Sequence, residues 1–194
     1  YFIGQSSVGI YQAGMRFFMG GAQCAVVLSN VLIGDVGKLL INGSRVQYNT
    51  KANQMLTAFS IIGGMGWLAF FVLKFFVPMV FGESFALLEE SVTLFGALYF
   101  VRFCAAGFGL ILTINNHQRE RMICTVVHWV IVFIVLLCIN THQINDWIYS
   151  LLIGNSSLAM MYCLISVREG IIKINRINMM MMLLAVISPL GFKL

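Results

Sequence analysis

The 194 residues are 60% hydrophobic and only 10% charged, with a mean hydropathy of +0.91. A soluble domain carries about 25% charged residues, so this composition excludes a soluble globular chain and favours an integral membrane protein. The net charge of +5 calls for no nucleic-acid partner, because the basic residues collect in alternate links between apolar segments.

Six apolar segments are predicted to be the helices of one transmembrane domain that covers residues 1–194. The segments are 9–33, 54–80, 90–113, 122–139, 147–166 and 177–192. A spanning helix needs about 20 residues, whereas barrel strands would have about 10 residues of alternating polarity. The predicted fold class is therefore an all-α integral membrane protein, a polytopic bundle of about six helices. The last segment is the weakest span, because it is short and contains Pro189.

The distribution of charge predicts the topology of these helices. Basic residues occur in alternate links, and the links between them, with the start of the chain, contain no lysine or arginine. The basic links are 34–53, 115–121 and 167–176. The start of the chain, 1–8, and the links 81–89 and 140–146 contain no basic residue. By the positive-inside rule the basic links are cytoplasmic, and the start of the chain is extracytoplasmic.

Polar side chains follow one face of the first segment, 9–33. They fall within about 40° of one another around the helix, at about 100° per residue. They are Gln12, Arg16, Gln23 and Asn30. Intramembrane polar groups usually face a bundle interior or a water-filled cavity rather than lipid. We interpret this polar stripe as one wall of a pathway, and predict that Gln12, Arg16 and Gln23 bind substrate.

Arg102 lies near the middle of the segment 90–113. A charge at the bilayer centre costs about 2.5–3.5 kcal/mol on insertion scales, so something must offset it. The small residues Ala105, Ala106 and Gly109 follow on the same helix face, which favours helix packing or a cavity there. We predict a cationic site for an anionic substrate. The alternatives are a structural arginine that caps the carbonyls of a broken helix, and snorkelling to the interface.

Lys74 lies near the outer end of the segment 54–80, where snorkelling to the interface is the simpler interpretation. It also continues a stripe at helical spacing. The other members of that stripe are Thr57, Ser60, Gly64 and Trp67. An alternative is that this stripe lines the same cavity as Arg102, so Lys74 is a further candidate for substrate binding.

No residue pattern predicts a catalytic, metal or cofactor site. The five cysteines form no CxxC pair, and the three histidines lack zinc-ligand spacing. The carboxylates all fall in predicted links or at predicted helix ends. His128 lies in mid-segment, where packing is a better explanation than proton relay. We therefore predict a protein that is not an enzyme and holds no metal or cofactor.

Two stretches resemble bacterial polysaccharide-lipid flippases, whose superfamily also holds the multidrug/toxin extruders and the lipid II flippase. The stretch YFIGQSSVGIYQAGMRF, 1–17, is similar to the start of the family's second half, G-x-x-S-V-G-I-Y followed by Y-x-A-x-x-R. The matching residues are Gly4, Ser7, Val8, Gly9, Ile10, Tyr11, Ala13 and Arg16. The stretch 77–100 is similar to an external turn P-x-x-x-G-x-x-F/Y, at Pro78, Gly82 and Phe85.

The resemblance covers about residues 1–170 and implies most of one half of a MATE-like transporter with 12 or 14 helices, whose two pseudo-symmetric halves enclose a central cavity. The chain begins with Tyr1, with no signal-peptide pattern before its first apolar segment, so we expect it to be a fragment. The link 115–121 departs from the family, which often has small residues and a single basic residue there. No role is carried over to that link.

The resemblance implies export of an undecaprenyl-pyrophosphate-linked oligosaccharide, such as an O-antigen repeat unit, across the bacterial inner membrane. The family is thought to work by rocking of its two halves in alternating access. The implied partners are the lipid-linked oligosaccharide, the membrane lipids and the polysaccharide polymerase machinery. The predicted cationic and amide groups suit a pyrophosphate–sugar headgroup, because arginine pairs strongly with phosphate.

Other functions stay open at the level of the sequence. A cation-coupled multidrug extruder of the same fold would be expected to hold a buried carboxylate. A membrane enzyme of polysaccharide assembly, such as the O-antigen polymerase, would be expected to present a sizeable external loop with arginine or acidic residues, whereas the external links here are short and contain no basic residue. A structural subunit of a membrane complex is the remaining alternative.

The predicted topology can be checked by cysteine labelling at Glu83. A cysteine at this position, in a background without reactive native cysteines, should react with an impermeant reagent added outside the cell, because its link contains no basic residue. Labelling from the cytoplasmic side alone would reverse the orientation.

Overall fold

The computed structural model describes residues 5–82, 86–139 and 143–189, and these residues form seven helices and no strand. The helices are α1 (Gln5–Asn42), α2 (Arg45–Lys74), α3 (Val77–Phe81), α4 (Ala86–Ile114), α5 (Gln118–Cys138), α6 (Ile144–Arg168) and α7 (Arg176–Ile187). The predicted all-α class is therefore confirmed.

Within the described part of the chain, five helices are long and apolar enough to cross a membrane. Their spans are Tyr11–Asn42, Arg45–Lys74, Ser91–Ile114, Gln118–Cys138 and Asn145–Arg168. The protein is thus a multi-pass membrane protein. Helix α7 has 12 residues, or about 18 Å, which is shorter than a hydrocarbon core of about 30 Å. Residues 190–192 of the last predicted segment lie outside the described residues.

Helix α1 runs well past the end of its apolar segment. The link predicted over 34–53 is almost entirely helical, since α1 ends at Asn42 and α2 begins at Arg45. The turn is fixed by a capping box, in which the Ser44 hydroxyl accepts the Gln47 amide at 3.2 Å and the Gln47 side chain accepts the Ser44 amide at 3.0 Å. Charged residues end a hydrophobic segment, but the first residue of α2 is set by this cap.

The segment predicted over 54–80 contains a break. The amides of Phe75 and Phe76 donate to carbonyls three residues back, at 3.2 and 2.9 Å, which tightens the last turn of α2. Pro78 then lies in the first turn of α3, where its missing N–H costs nothing. Gly82, with φ of 80°, follows the last residue of α3 as its cap. Two positions of the flippase-like motifs, Gly4 and Phe85, lie outside the described residues. Glu83, the site chosen for labelling, also lies outside them.

Helix α4 is the central helix of the bundle. Its apolar stretch is 78% buried, whereas that of α1 is 11% buried. Helices α1, α2 and α6 all pack on α4, and the largest side chains that they enclose include Phe95 and Phe103. The outer surfaces of α1 and α5 carry large exposed apolar side chains, as expected for helices that face lipid.

Tyr99 joins three helices. Its ring lies against the bare backbone of Gly21 on α1 and of Gly66 on α2, and a Cβ atom on either glycine would overlap the ring. Its hydroxyl donates to the Gly21 carbonyl at 3.1 Å. One turn earlier, Phe95 occupies the space over Gly14 in the same way. The large side chains of α4 therefore fit against glycines of the neighbouring helices, which allows close approach.

A cluster of asparagines, here called the amide clasp, ties α7 and the link before it to α2. Its members are Asn49, Asn53, Asn175 and Asn178. The Asn53 side chain donates to the Lys173 carbonyl at 2.8 Å and accepts the Asn175 amide at 2.9 Å. Asn178 donates to the Asn53 side chain at 3.1 Å, and Asn49 accepts the Lys173 amide at 3.2 Å. The clasp holds a helix that is too short to span by itself.

The three basic links meet at one end of the bundle. The Arg45 guanidinium donates to the Gly170 carbonyl at 2.5 Å, which joins the α1–α2 turn to the link after α6. Asn115, after α4, donates to the Tyr48 hydroxyl at 2.5 Å. The helices therefore alternate in direction as their charge pattern predicts.

Replacing Gly66 by alanine should destabilise the bundle, because the added Cβ would overlap the Tyr99 ring. Overpacking of this kind costs about 1–3 kcal/mol. The matched control is Gly64→Ala on the same helix, since nothing lies within 4 Å of a Cβ at Gly64 and alanine is the better helix former. The measurement is unfolding in detergent, and equal stability of the two variants would contradict the packing described.

Asn53→Ala should loosen the amide clasp, because it leaves Asn175 and Asn178 without their partner. We expect trypsin to cut after Lys173 at least about fivefold faster in the folded protein, since a lost hydrogen bond of about 1 kcal/mol or more favours local opening. Gln54→Ala is the control, because the Gln54 side chain is exposed beside the clasp. Equal cleavage of the two variants would rule out this role of the clasp.

Candidate functional site

Polar contacts run along the interface between α4 and α6. Near one end Ser91 donates to Asn145 at 2.7 Å, and near the middle Arg102 donates to Asn155 at 3.3 Å. These pairs are 54 and 53 residues apart in sequence, so the two helices run in the same direction and stay in register. We call this interface, continued by Tyr162 over Gly109, the α4–α6 seam.

Arg102 is held in the seam by a neutral partner. The Asn155 side chain is 7% exposed, and its amide nitrogen donates to the Leu151 carbonyl at 2.8 Å, which turns its oxygen toward Arg102. Arg102 itself is exposed, and no described carboxylate forms an ion pair with it. A guanidinium has five N–H donors, so donors remain on Arg102 for a ligand.

The position and hydrogen bond of Arg102 argue against the two structural explanations of this residue, capping of carbonyls and snorkelling. Its hydrogen bond goes to a side-chain oxygen, and α4 and α6 run unbroken past it, so no broken helix presents carbonyls for it to cap. The C-terminal end of α4, Ile114, is 12 residues away, or about 18 Å at 1.5 Å per residue. That is too far for a side chain to bring its charge to the interface.

Arg121 continues the seam toward the end where the basic links meet. Its Nη1 donates to the Thr113 hydroxyl on α4 at 2.6 Å, and its carbonyl accepts the Tyr162 hydroxyl at 3.4 Å. The hydroxyls of Tyr162 and Thr125 are hydrogen-bonded at 3.0 Å. Helices α4, α5 and α6 thus supply a cation and three hydroxyl groups to one place.

Sequence reasoning missed Arg121, Asn155 and Tyr162 as members of this site. The charge pattern places Arg121 in a link, whereas α5 already begins at Gln118 and carries its side chain onto α4. Asn155 and Tyr162 lie on the same face of the predicted segment 147–166, seven residues apart. Two polar residues at that spacing are the signal that could have identified the seam.

The polar stripe of α1 faces away from the bundle. The residues of α1 that pack inward include Gly14, Phe18 and Ala25, and the stripe lies on roughly the opposite side of the helix. Its four residues are all exposed: Gln12, Arg16, Gln23 and Asn30. No hydrogen bond or ion pair joins the stripe to another described residue. The structure thus does not bring the stripe together with Arg102, and leaves it open on the outer side of α1.

The second predicted stripe, on α2, is mostly packed rather than open. Thr57 donates to the Asn178 side chain on α7 at 3.0 Å, Ser60 contacts Cys104 at 4.0 Å, and the Trp67 ring stacks on Phe100 at 5.8 Å between centroids. Lys74 is half-buried in the last turn of α2. Among the described residues, this stripe is therefore joined to α4 and α7 by packing contacts.

His128 is buried between α5 and α6. Its ring lies against Gly154, where a Cβ atom would come within 3.0 Å of the ring nitrogen Nδ1 and would overlap Val132. This contact favours the packing interpretation of His128.

Two clefts open at the end where the basic links meet. One has a volume of about 540 Å³ and is bordered by the amide clasp on α2; the other, of about 420 Å³, is lined by residues that include Arg45, Asn115 and Glu169. Many of their polar groups are hydrogen-bonded to one another, as in the clasp and between Asn115 and Tyr48. Within the described residues no group of histidine, cysteine and carboxylate side chains could hold a metal.

Comparisons with known proteins found no match for the chain among family models, curated proteins or solved structures. What the protein does must therefore be inferred from its own residues, chiefly those of the α4–α6 seam.

Proposed function

We propose that the protein transports a lipid-linked oligosaccharide with an anionic pyrophosphate headgroup across the bacterial inner membrane. The observation that carries the proposal is Arg102, a cation deep in a membrane-spanning bundle whose hydrogen-bonded partner is a neutral amide. A guanidinium in the middle of a membrane-spanning helix is costly when no carboxylate pairs with it, unless another anion does so. A phosphate group is well suited, because arginine binds it with short, charge-assisted and often bidentate hydrogen bonds.

The outer side of α1 is a second polar surface, separate from Arg102. There the exposed amides of Gln12 and Gln23 are available to sugar hydroxyls, and Arg16 lies on the same stripe. The polyprenyl tail would stay in the bilayer beside the lipid-facing helices. Transport by alternating access requires no covalent chemistry, and it agrees with the resemblance of the stretches 1–17 and 77–100 to polysaccharide-lipid flippases.

The charges of the bundle favour an anionic substrate over a cationic drug. A cation-coupled extruder needs a carboxylate deep within the membrane. Glu89, Glu120 and Asp146 lie in the first turns of their helices, and Asp35 lies on α1 seven residues before that helix ends at Asn42. Acidic residues in first turns are explained by the helix dipole. The charge in the middle of the seam, Arg102, is positive instead.

The proposal is tested by replacing Arg102 in the full-length protein and scoring surface polysaccharide in cells. We expect Arg102→Ala to reduce export at least about tenfold, because a charge-assisted contact of about 1.5–3 kcal/mol is lost. Arg102→Lys should retain only a minor part, since lysine lacks the planar fork of arginine. Normal export by Arg102→Ala at a normal protein level would overturn the proposal.

Two further variants make the result specific. Arg168→Ala removes a basic side chain that is 87% exposed at the end of α6, and should leave export unchanged. Lys74→Ala should reduce export less than Arg102→Ala, because the stripe on α2 is packed against other helices. An equal loss from all three variants would indicate a general effect of positive charge rather than a site.

A further inference from the structure

A second cation shares the seam with Arg102. Gly109 lies seven residues after Arg102 on α4, two turns or about 10 Å away. The Nε of Arg121 approaches the same glycine, 3.6 Å from the position of a Cβ atom there. The absence of a side chain at Gly109 lets the guanidinium of Arg121 lie over α4, on the face that carries Arg102.

Neither arginine is neutralised by the described chain. The ion pairs between described residues are His117–Glu120, at 3.5 Å, and Arg168–Glu169, at 4.0 Å. Arg102 donates to an amide and Arg121 to a hydroxyl, so each keeps further N–H donors. Two positive charges on one seam also repel each other. A pair of like charges along one seam is stabilised by an anion that carries more than one negative charge.

Arg121 is distinguished from the other basic residues near it. Arg119, two residues earlier, is exposed and has no hydrogen bond or ion pair to another described residue. The hydroxyls of Thr113 and Tyr162 contact the side chain and the carbonyl of Arg121, which fixes it against α4. A basic residue whose only role was to keep its link on the cytoplasmic side would not need such contacts.

We propose that Arg121, held in place by the Tyr162 and Thr113 hydroxyls, forms a cytoplasmic-side subsite of the seam that binds a diphosphate jointly with Arg102. The inference rests on the proposed function, in which a pyrophosphate headgroup enters from the cytoplasmic leaflet. The headgroup would contact Arg121 first, near the basic links. It would then also be bound by Arg102, which lies deeper in the membrane. The second cation makes the seam selective for a diphosphate over a monophosphate.

The test measures binding of inorganic pyrophosphate to the purified full-length protein in nanodiscs of neutral lipid, by ³¹P NMR. Neutral lipid keeps anionic headgroups from competing. The key variant is Arg121→Gln, which removes the charge but keeps a donor for Thr113, so the fold should be retained and is checked by thermal unfolding. The matched control is Arg119→Gln, two residues away.

We expect wild type to bind pyrophosphate more tightly than inorganic phosphate, and Arg121→Gln and Arg102→Gln each to weaken pyrophosphate binding about tenfold or more. Arg119→Gln should change it less than about twofold. The subsite is refuted if Arg121→Gln binds as Arg119→Gln does, or if wild type binds no pyrophosphate.

The two proposals fail in different ways. If Arg121→Gln binds and exports lipid-linked oligosaccharide normally while Arg102→Ala does not, the subsite is wrong and the proposed function stands. If pyrophosphate binding needs both arginines, but a lipid-linked oligosaccharide does not compete with it, the diphosphate site stands and the proposed function is wrong.

Discussion

The packing of Tyr99 against glycines on two neighbouring helices is the contact on which the rest of the bundle depends. Lipid tails are as apolar as leucine, so helices in a membrane are held by close packing and hydrogen bonds rather than by the hydrophobic effect. Tyr99 supplies both, through the bare backbone of Gly21 and Gly66 and through its bond to the Gly21 carbonyl. This contact packs α1 and α2 against α4, and α6 packs against the remaining face of α4.

That remaining face of α4 is where the chain concentrates its polar chemistry. Because α4 and α6 run parallel and stay in register, Arg102 meets Asn155 and Gly109 meets Tyr162 in succession along one line. The return helix α5 adds Arg121 to the same line. Architecture and charge are linked here, since these polar contacts follow the central helix of the bundle.

Hydropathy and charge were enough to predict the all-helical class and the alternation of the basic links, but not where helices end or what their faces meet. The start of α2 depends on the cap at Ser44, and the break after α2 on Pro78. The 3.6-residue period groups Gln12, Arg16 and Gln23 on one face, yet it does not reveal that α4 packs on the other side, at Phe18. The apolar pattern did not place Arg121 on a helix, because α5 begins with polar residues that precede its apolar stretch.

The balance of charge gives the sharpest constraint on function. A structural arginine inside a membrane protein is normally completed by a carboxylate or by backbone carbonyls of the same chain. Arg102 has instead a neutral amide that is itself anchored to the Leu151 carbonyl, so the amide orients the guanidinium without cancelling its charge. With Arg121 on the same line, the seam holds two positive charges that the described chain positions but does not neutralise. A transported anionic headgroup neutralises these charges while it is bound and then leaves. A permanent ion pair within the chain would instead block its binding.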